Sequence, residues 1–245
     1  YSGKNLGYFG GAKKALEFIN TKFYECIILL NSDISINGVS GFKYLKKACI
    51  FARDHNVGII APKIIKKSDN YIIKNDQNPQ HTKRLTSFEF YSRSILFSNN
   101  LLTILYRKLK KIYQQNFGKT NQNSKNIQKY IYAPNGSCLI FTKNYIDQEK
   151  NNFLDYGTFL FNEEIDISEK CLKKELKIIW DKSITLIHNA LITTGSTYFK
   201  SQKIFQHFKN SFKYIYNTYY KNKREVLFSL PANSINEGAS RLILS

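Results

Sequence analysis

Methionine is absent from this chain, tryptophan occurs once, and proline only four times in 245 residues. Acidic side chains are also scarce: 18 Asp and Glu face 37 Lys and Arg, leaving a formal charge of +19. Such a surface attracts polyanions and anionic membranes over about a Debye length. Arginine is the scarcest cation, confined to positions 53, 84, 93, 107, 224 and 241. Because arginine reads bases and phosphates by bidentate geometry, this argues against specific nucleic-acid recognition. Cys26, Cys49, Cys138 and Cys171 have no paired spacing, which points away from a zinc site or a disulfide framework. Buried thiols in a reducing, cytoplasmic setting are expected instead. The longest apolar runs are about five residues, against the ~20 needed to cross a bilayer. The opening on Tyr1-Ser2-Gly3, without methionine, reads as a start inside a longer protein, so the lack of a leader is uninformative.

Hydrophobic residues make up 42% of the chain and aromatics 15%, enough for a substantial core. A glycine-rich turn from Tyr8 leads to a predicted helix over Ala12 to Asn20, then an apolar strand Cys26 to Leu30 ending at Asn31-Ser32-Asp33. A helix near Gly41 to Asp54 and a strand Val57 to Ala61, stopped by Pro62, follow. Strands apolar throughout and alternating with helices predict an α/β fold with a mostly parallel sheet, whose ligands bind beyond the strands' carboxyl ends. Asp33 stands at such an end.

Residues 66–129 break the rhythm and read as a helical insertion, with one long helix over Ser92 to Gln115. Its apolar stripe of Leu101, Leu102, Leu105, Leu109 and Ile112 is expected to pack on the domain rather than lie on a membrane. The sheet resumes with Tyr130 to Ala133, a turn at Asn135-Gly136 and a strand Ser137 to Thr142. Strands Lys177 to Trp180 and Ile184 to His188 come later, and residues 198–245 read as a basic, aromatic extension to a domain spanning 1–197.

Three carboxylates fall within four positions, Glu163, Glu164 and Asp166, straight after Phe159-Leu160-Phe161-Asn162. Concentrated negative charge on a basic chain suits a base or a cation site. It equally suits the first turn of a helix capped by Asn162, where carboxylates meet the positive end of the dipole. Asp33 reads equally as a turn residue, and His188 as a hydrogen-bonded core histidine.

The segments Asn5-Leu6-Gly7-Tyr8-Phe9-Gly10-Gly11-Ala12-Lys13, Leu30 to Asp33, Ile59 to Lys63, Ala133 to Ser137, Phe159 to Asp166, and Ile187-His188-Asn189 with Thr193-Thr194-Gly195 occur in an order that resembles the family 2 glycosyltransferases. The likeness is to the inverting, nucleotide-sugar enzymes of GT-A fold in bacterial surface-polysaccharide synthesis. It implies a GT-A sheet lacking its first strand or strands, a nucleotide-sugar donor and a saccharide or lipid-linked acceptor. Asn31-Ser32-Asp33 stands where that family has Asp-x-Asp, and Glu163-Glu164 where many members have Glu-Asp.

By this resemblance Asp33 and His188 hold a divalent cation, Mn²⁺ or Mg²⁺. Asn5, Gly7, Lys13, Asn31 and Asp33 face the donor, with Lys13 toward a phosphate, and Gly136 and Ser137 lie beside the acceptor. Glu164 is the expected general base, its pKa raised by apolar neighbours and by Glu163, with Glu163 and Asp166 supporting it. Consecutive side chains diverge, so only one of Glu163 and Glu164 acts while the other orients or repels. A peripheral place on the inner face of the membrane is a further expectation. The competing readings are a non-catalytic basic module that binds nucleic acid or an anionic surface, and a truncated, inactive transferase.

Overall fold

A computed structural model describes residues 3–36, 44–68, 71–117, 128–149, 153–189 and 202–221. Thr193-Thr194-Gly195, Tyr198 and the chain after Lys221 lie outside these. In order, the elements are α1 (Gly7–Leu16), β1 (Cys26–Leu30), β2 (Ile34–Ile36), α2 (Leu45–Asp54), β3 (Val57–Ser68), β4 (Tyr71–Asp76), α3 (Ser87–Ser98), α4 (Asn100–Phe117), β5 (Gln128–Ile131), β6 (Cys138–Thr142), α5 (Lys143–Glu149), α6 (Glu163–Lys173), β7 (Lys177–His188) and α7 (Gln202–Ile215), which runs into a π-turn at Tyr216–Tyr220.

The fold is α/β. The seven described strands form one mixed sheet in the order β1-β6-β3-β7-β2, with β4 beside β3 and β5 beside β7. The expected mostly parallel sheet is corrected: among the described strands only β3 and β7 pair in parallel. The physical reason lies in β6. It runs antiparallel to both β1 and β3, so those two share a direction without touching. An apolar run reports burial on both faces and says nothing of the direction of the strand beside it.

Alternation along the strands separates two cores. Ile59, Ala61, Leu139, Phe141, Ile178 and Trp180 turn toward α1 and α6, whereas Ile60, Ile64, Cys138, Ile140 and Ile179 turn toward α2. Helix α6 belongs to two layers at once. Ile167 and Cys171 join the sheet-side core, and Ile165 joins a third core with Phe90 of α3, Phe212 and Ile215 of α7, and Tyr219.

That third core draws together segments that the sequence reads as separate pieces. The described part of the supposed extension, residues 202–221, covers α6 and is integral to the fold. The supposed insertion likewise supplies a strand of the sheet, β4, and the helix under α7. The long helix expected over Ser92 to Gln115 is two, broken at Asn99, whose backbone is extended (φ −113°, ψ 121°). Thr86 and Glu89 start the first with a reciprocal capping box. The stripe on α4 does not pack on the domain: Leu101, Leu102, Leu105, Leu109 and Ile112 are all exposed. Helix α1 begins at Gly7, earlier than expected, because the Asn5 side chain accepts from the Gly7 N–H and Phe9 is drawn into the core. Strand β3 passes through Pro62, where the register with β7 shifts and no ladder donor is needed. Among the described residues no helix is long and apolar enough to cross a membrane, and all four cysteines are free thiols.

Candidate functional site

The end of β1 forms one wall. Asn31 to Ile34 is a tight turn closed by the Ile34 N–H donating to the Asn31 carbonyl (3.1 Å), while the Asn31 N–H donates to the Ser137 carbonyl (2.9 Å). The turn delivers Asp33 into the short pairing of β2 with β7, in which Ile34 lies opposite His188. Asp33 is buried, and its Oδ2 lies 3.2 Å from His188 Nε2. The other ring nitrogen, Nδ1, lies 2.7 Å from Gln77 Oε1. With Nδ1–H donating to that oxygen, the Nε2 lone pair faces a carboxylate oxygen. Two acceptors so close need a second ring proton or a cation between them. Ligands on adjacent positions of an octahedral ion, bonded at about 2.1 Å, stand about 3 Å apart, so the pair fits a hard divalent ion. Among the described residues no group of three or more His, Cys, Asp or Glu is gathered. An ion here would draw its remaining oxygens from ligand and water, as Mg²⁺ commonly does.

The start of α6 forms the opposite wall. Phe161 and Asn162 both have positive φ, 74° and 62°. This sparsely populated backbone is held by the Tyr156 hydroxyl donating to the Phe161 carbonyl and by Phe161 stacking on Phe208 at 3.9 Å. Asn162 does not cap the helix, contrary to expectation: in its left-handed conformation its amide donates to Ser211 Oγ of α7 (2.9 Å). Glu163 and Glu164 are both buried. Burial, and then the charge of Glu164, push Glu163 up to about 8, against the backbone N–H groups that hold it down. Burial also raises Glu164, opposed by its backbone N–H and by Gln80, whose amide donates to Oε1 (2.5 Å). A Cβ on Gly136 would stand 3.5 Å from Glu164 Oε2. The glycine therefore leaves open the side of the carboxylate that Gln80 does not occupy.

Asp33 and Glu164 face a common region. Burial is the main reason the pKa of the Tyr8 phenol is raised, with Cys138, Glu163, Glu164 and Asp33 adding to it, and among the described residues its buried hydroxyl has no hydrogen-bond partner. Between the walls run Asn135 to Ser137, where Asn135 Oδ1 accepts from both the backbone N–H and the hydroxyl of Ser137.

The Asn5 side chain accepts from the Gly7 N–H just ahead of α1, and Gly7 opens the helix with φ +76°; a Cβ there would collide with the Phe159 carbonyl. Gly7 thus fixes α1 against the segment that leads into α6. Lys13, five residues beyond Tyr8, is ion-paired with Asp155. Asp166 is taken up elsewhere too. Its oxygens accept from the Tyr219 hydroxyl (2.7 Å) and pair with Lys170 (2.8 Å), fastening the end of α7 to α6. With Glu169 bound to Arg84 and the Tyr132 hydroxyl, these contacts are structural.

Sequence reasoning missed Gln77, Asn78 and Gln80. Their loop orients His188 at one end and Glu164 at the other, while Asn78 bonds the Pro62 carbonyl and the Asn135 N–H between them. The available signal was the amide-rich run Gln77-Asn78-Pro79-Gln80-His81 directly after a strand. Tyr8 was passed over as part of a glycine-rich turn. No protein-family model matches the chain, and no curated protein matches it closely enough to count as a relative.

Proposed function

We propose that this chain is an inverting glycosyltransferase of GT-A type. It moves a sugar from a nucleoside-diphosphate sugar to a saccharide or lipid-linked acceptor hydroxyl in cell-surface polysaccharide or oligosaccharide synthesis. The observation that carries the reading is the convergence of the Asp33–His188 pair and Glu164 on one region, held from both ends by the Gln77 to Gln80 loop. A divalent cation held by Asp33 and His188 would neutralise charge on a departing diphosphate. Glu164 is the general base: burial makes it a stronger base than an ordinary glutamate, Gln80 fixes one oxygen, and the other lies toward Gly136. Glu163, with its pKa near 8, is largely protonated at neutral pH and orients rather than competes. Tyr8 offers its hydroxyl to the ligand between them.

The test is thermal stabilisation by a panel of nucleotide sugars, with and without Mn²⁺. A true donor at a hundredfold excess over its Kd stabilises by about 2.7 kcal/mol. Stabilisation that needs both metal and sugar, and is lost in Asp33→Ala, supports the reading; stabilisation by none of them removes it. The formal charge of +19 favours a second reading, a non-catalytic polyanion binder. Such binding weakens steeply with salt and ignores the metal.

A further inference from the structure

Tyr8 stands in the first turn of α1 with its ring on the sheet-side core. Its neighbours fix where the phenol ends. Gly7 abuts the Phe159 carbonyl, four residues ahead of Glu163, so α1 starts beside the segment that leads into α6. Cys138, opposite Leu30 in the β1–β6 ladder, marks the end of β1 three residues before Asp33. Cys138, Glu163, Glu164 and Asp33 all lie close enough to act on the phenol. The hydroxyl is buried and, among the described residues, has no hydrogen-bond partner. Elsewhere in this molecule carboxylates take up buried phenols: Tyr132 donates to Glu169 (2.6 Å) and Tyr219 to Asp166 (2.7 Å). Tyr8 has three carboxyl groups around it and bonds none of them. An unanswered buried hydroxyl costs stability, so this one points to a partner that arrives from outside the chain.

We propose that Tyr8 is a specificity-determining residue that reads a hydroxyl of the sugar being transferred, and not the nucleotide that carries it. The inference rests on the transferase reading. On that reading the diphosphate departs at the Asp33–His188 wall and the acceptor is activated at the Glu164 wall, so the sugar spans the gap in which the Tyr8 hydroxyl stands. Burial keeps the phenol protonated, which leaves it an O–H to donate as well as lone pairs. A sugar hydroxyl matches this place because it can accept from the phenol and donate onward to a carboxylate. A phosphate oxygen can only accept, and would bring another anion toward Glu164. A site that hydrogen-bonds a substrate hydroxyl rejects analogues that lack it, because its own buried group is then left unpaired.

The experiment is titration of the full chain, wild type and Tyr8→Phe, with UDP-glucose, GDP-mannose and dTDP-glucose in the presence of Mn²⁺, each beside its free nucleoside diphosphate. The hexose nucleotide that binds should lose about tenfold in affinity in Tyr8→Phe, while the free diphosphate binds both proteins alike. Among the monodeoxy analogues of that hexose nucleotide, one should bind both proteins alike, and its position names the hydroxyl. Without ligand Tyr8→Phe should melt about 2–4 °C higher, because it removes an unanswered buried hydroxyl. Equal affinity of the hexose nucleotide for both proteins would overturn the inference, as would binding of diphosphates alone or a set of analogues that all still tell the proteins apart. An equal loss for the free diphosphate would put Tyr8 on the nucleotide, and a lower Tm would reveal a protein partner; either overturns it. All of these leave the transferase reading standing. If the wild type binds neither form of any nucleotide, that reading falls and takes this inference with it.

Discussion

Two helices of this protein invert the usual distribution of polarity, in opposite senses. Helix α6 takes Glu163, Glu164, Asp166 and Glu169 into the interior, while α4 leaves four leucines and two isoleucines in solvent. Only the first inversion is compensated within the described residues. Asp166 is answered by Tyr219 and Lys170, and Glu169 by Arg84 and Tyr132. Glu163 and Glu164 differ: burial holds both pKa values up, and the charge of Glu164 adds to that of Glu163. Under the proposed function, one helix contains both structural and reactive carboxylates, told apart by whether each oxygen is already engaged.

The sharpest way to break this division is Glu164→Gln, which keeps the oxygen that Gln80 binds. Transfer should fall by about 10²–10⁴ with nucleotide-sugar binding and Tm retained, as read by product formation and melting. Full activity would remove Glu164 from the chemistry. Glu169→Ala should instead act on stability, by about 3–5 kcal/mol in urea unfolding, because it strands Arg84 in a buried position. A small loss would show that the outer layer does not depend on this pair. Gly7→Ala should cost about 2 kcal/mol or more, combining a left-handed backbone with the collision at Phe159. A neutral result in the same assay would contradict the docking of α1.

Glu163 gives a prediction in pH. Its folded pKa, about 8, lies above the unfolded carboxylate value of 4.5, so the contribution is full below about pH 4.5, is lost as pH rises from there to about 8, and is gone above it. His81, depressed to about 4 chiefly by burial, acts in the other direction: its contribution is lost as pH falls below about 6.5. Melting between pH 6.5 and 8 therefore leaves out His81, and Glu163→Gln should flatten the decline there. An equal slope in both proteins would assign it elsewhere. The smallest effect belongs to α4, where Leu101→Gln should change stability by less than about 0.5 kcal/mol. A larger loss would mean that the stripe is covered by the rest of the chain.

Some of this was legible in the residues. Cys26 to Leu30 and Cys138 to Thr142 lie within strands expected from continuous apolar runs, and Asn31-Ser32-Asp33 forms the turn that its side chains favour. The placement of α6 was not legible, because a helix with four acidic residues resembles a solvated one until the layer from α7 is known to cover it. The expectation for α4 failed for the converse reason: periodicity reveals that a face is apolar, not what lies against it. The Gln77 to Gln80 loop was hidden because polar amides have no periodicity, and their value here depends on partners distant in sequence.

That loop has one more consequence. The imidazole and the carboxylate are tethered to the same four-residue stretch of backbone, with Asn78 as its fixed midpoint on the Pro62 carbonyl. Either terminal group, in swinging, pulls on a strap it shares with the other, so under the proposed function occupancy of one wall and aim at the opposite wall would be a single mechanical variable.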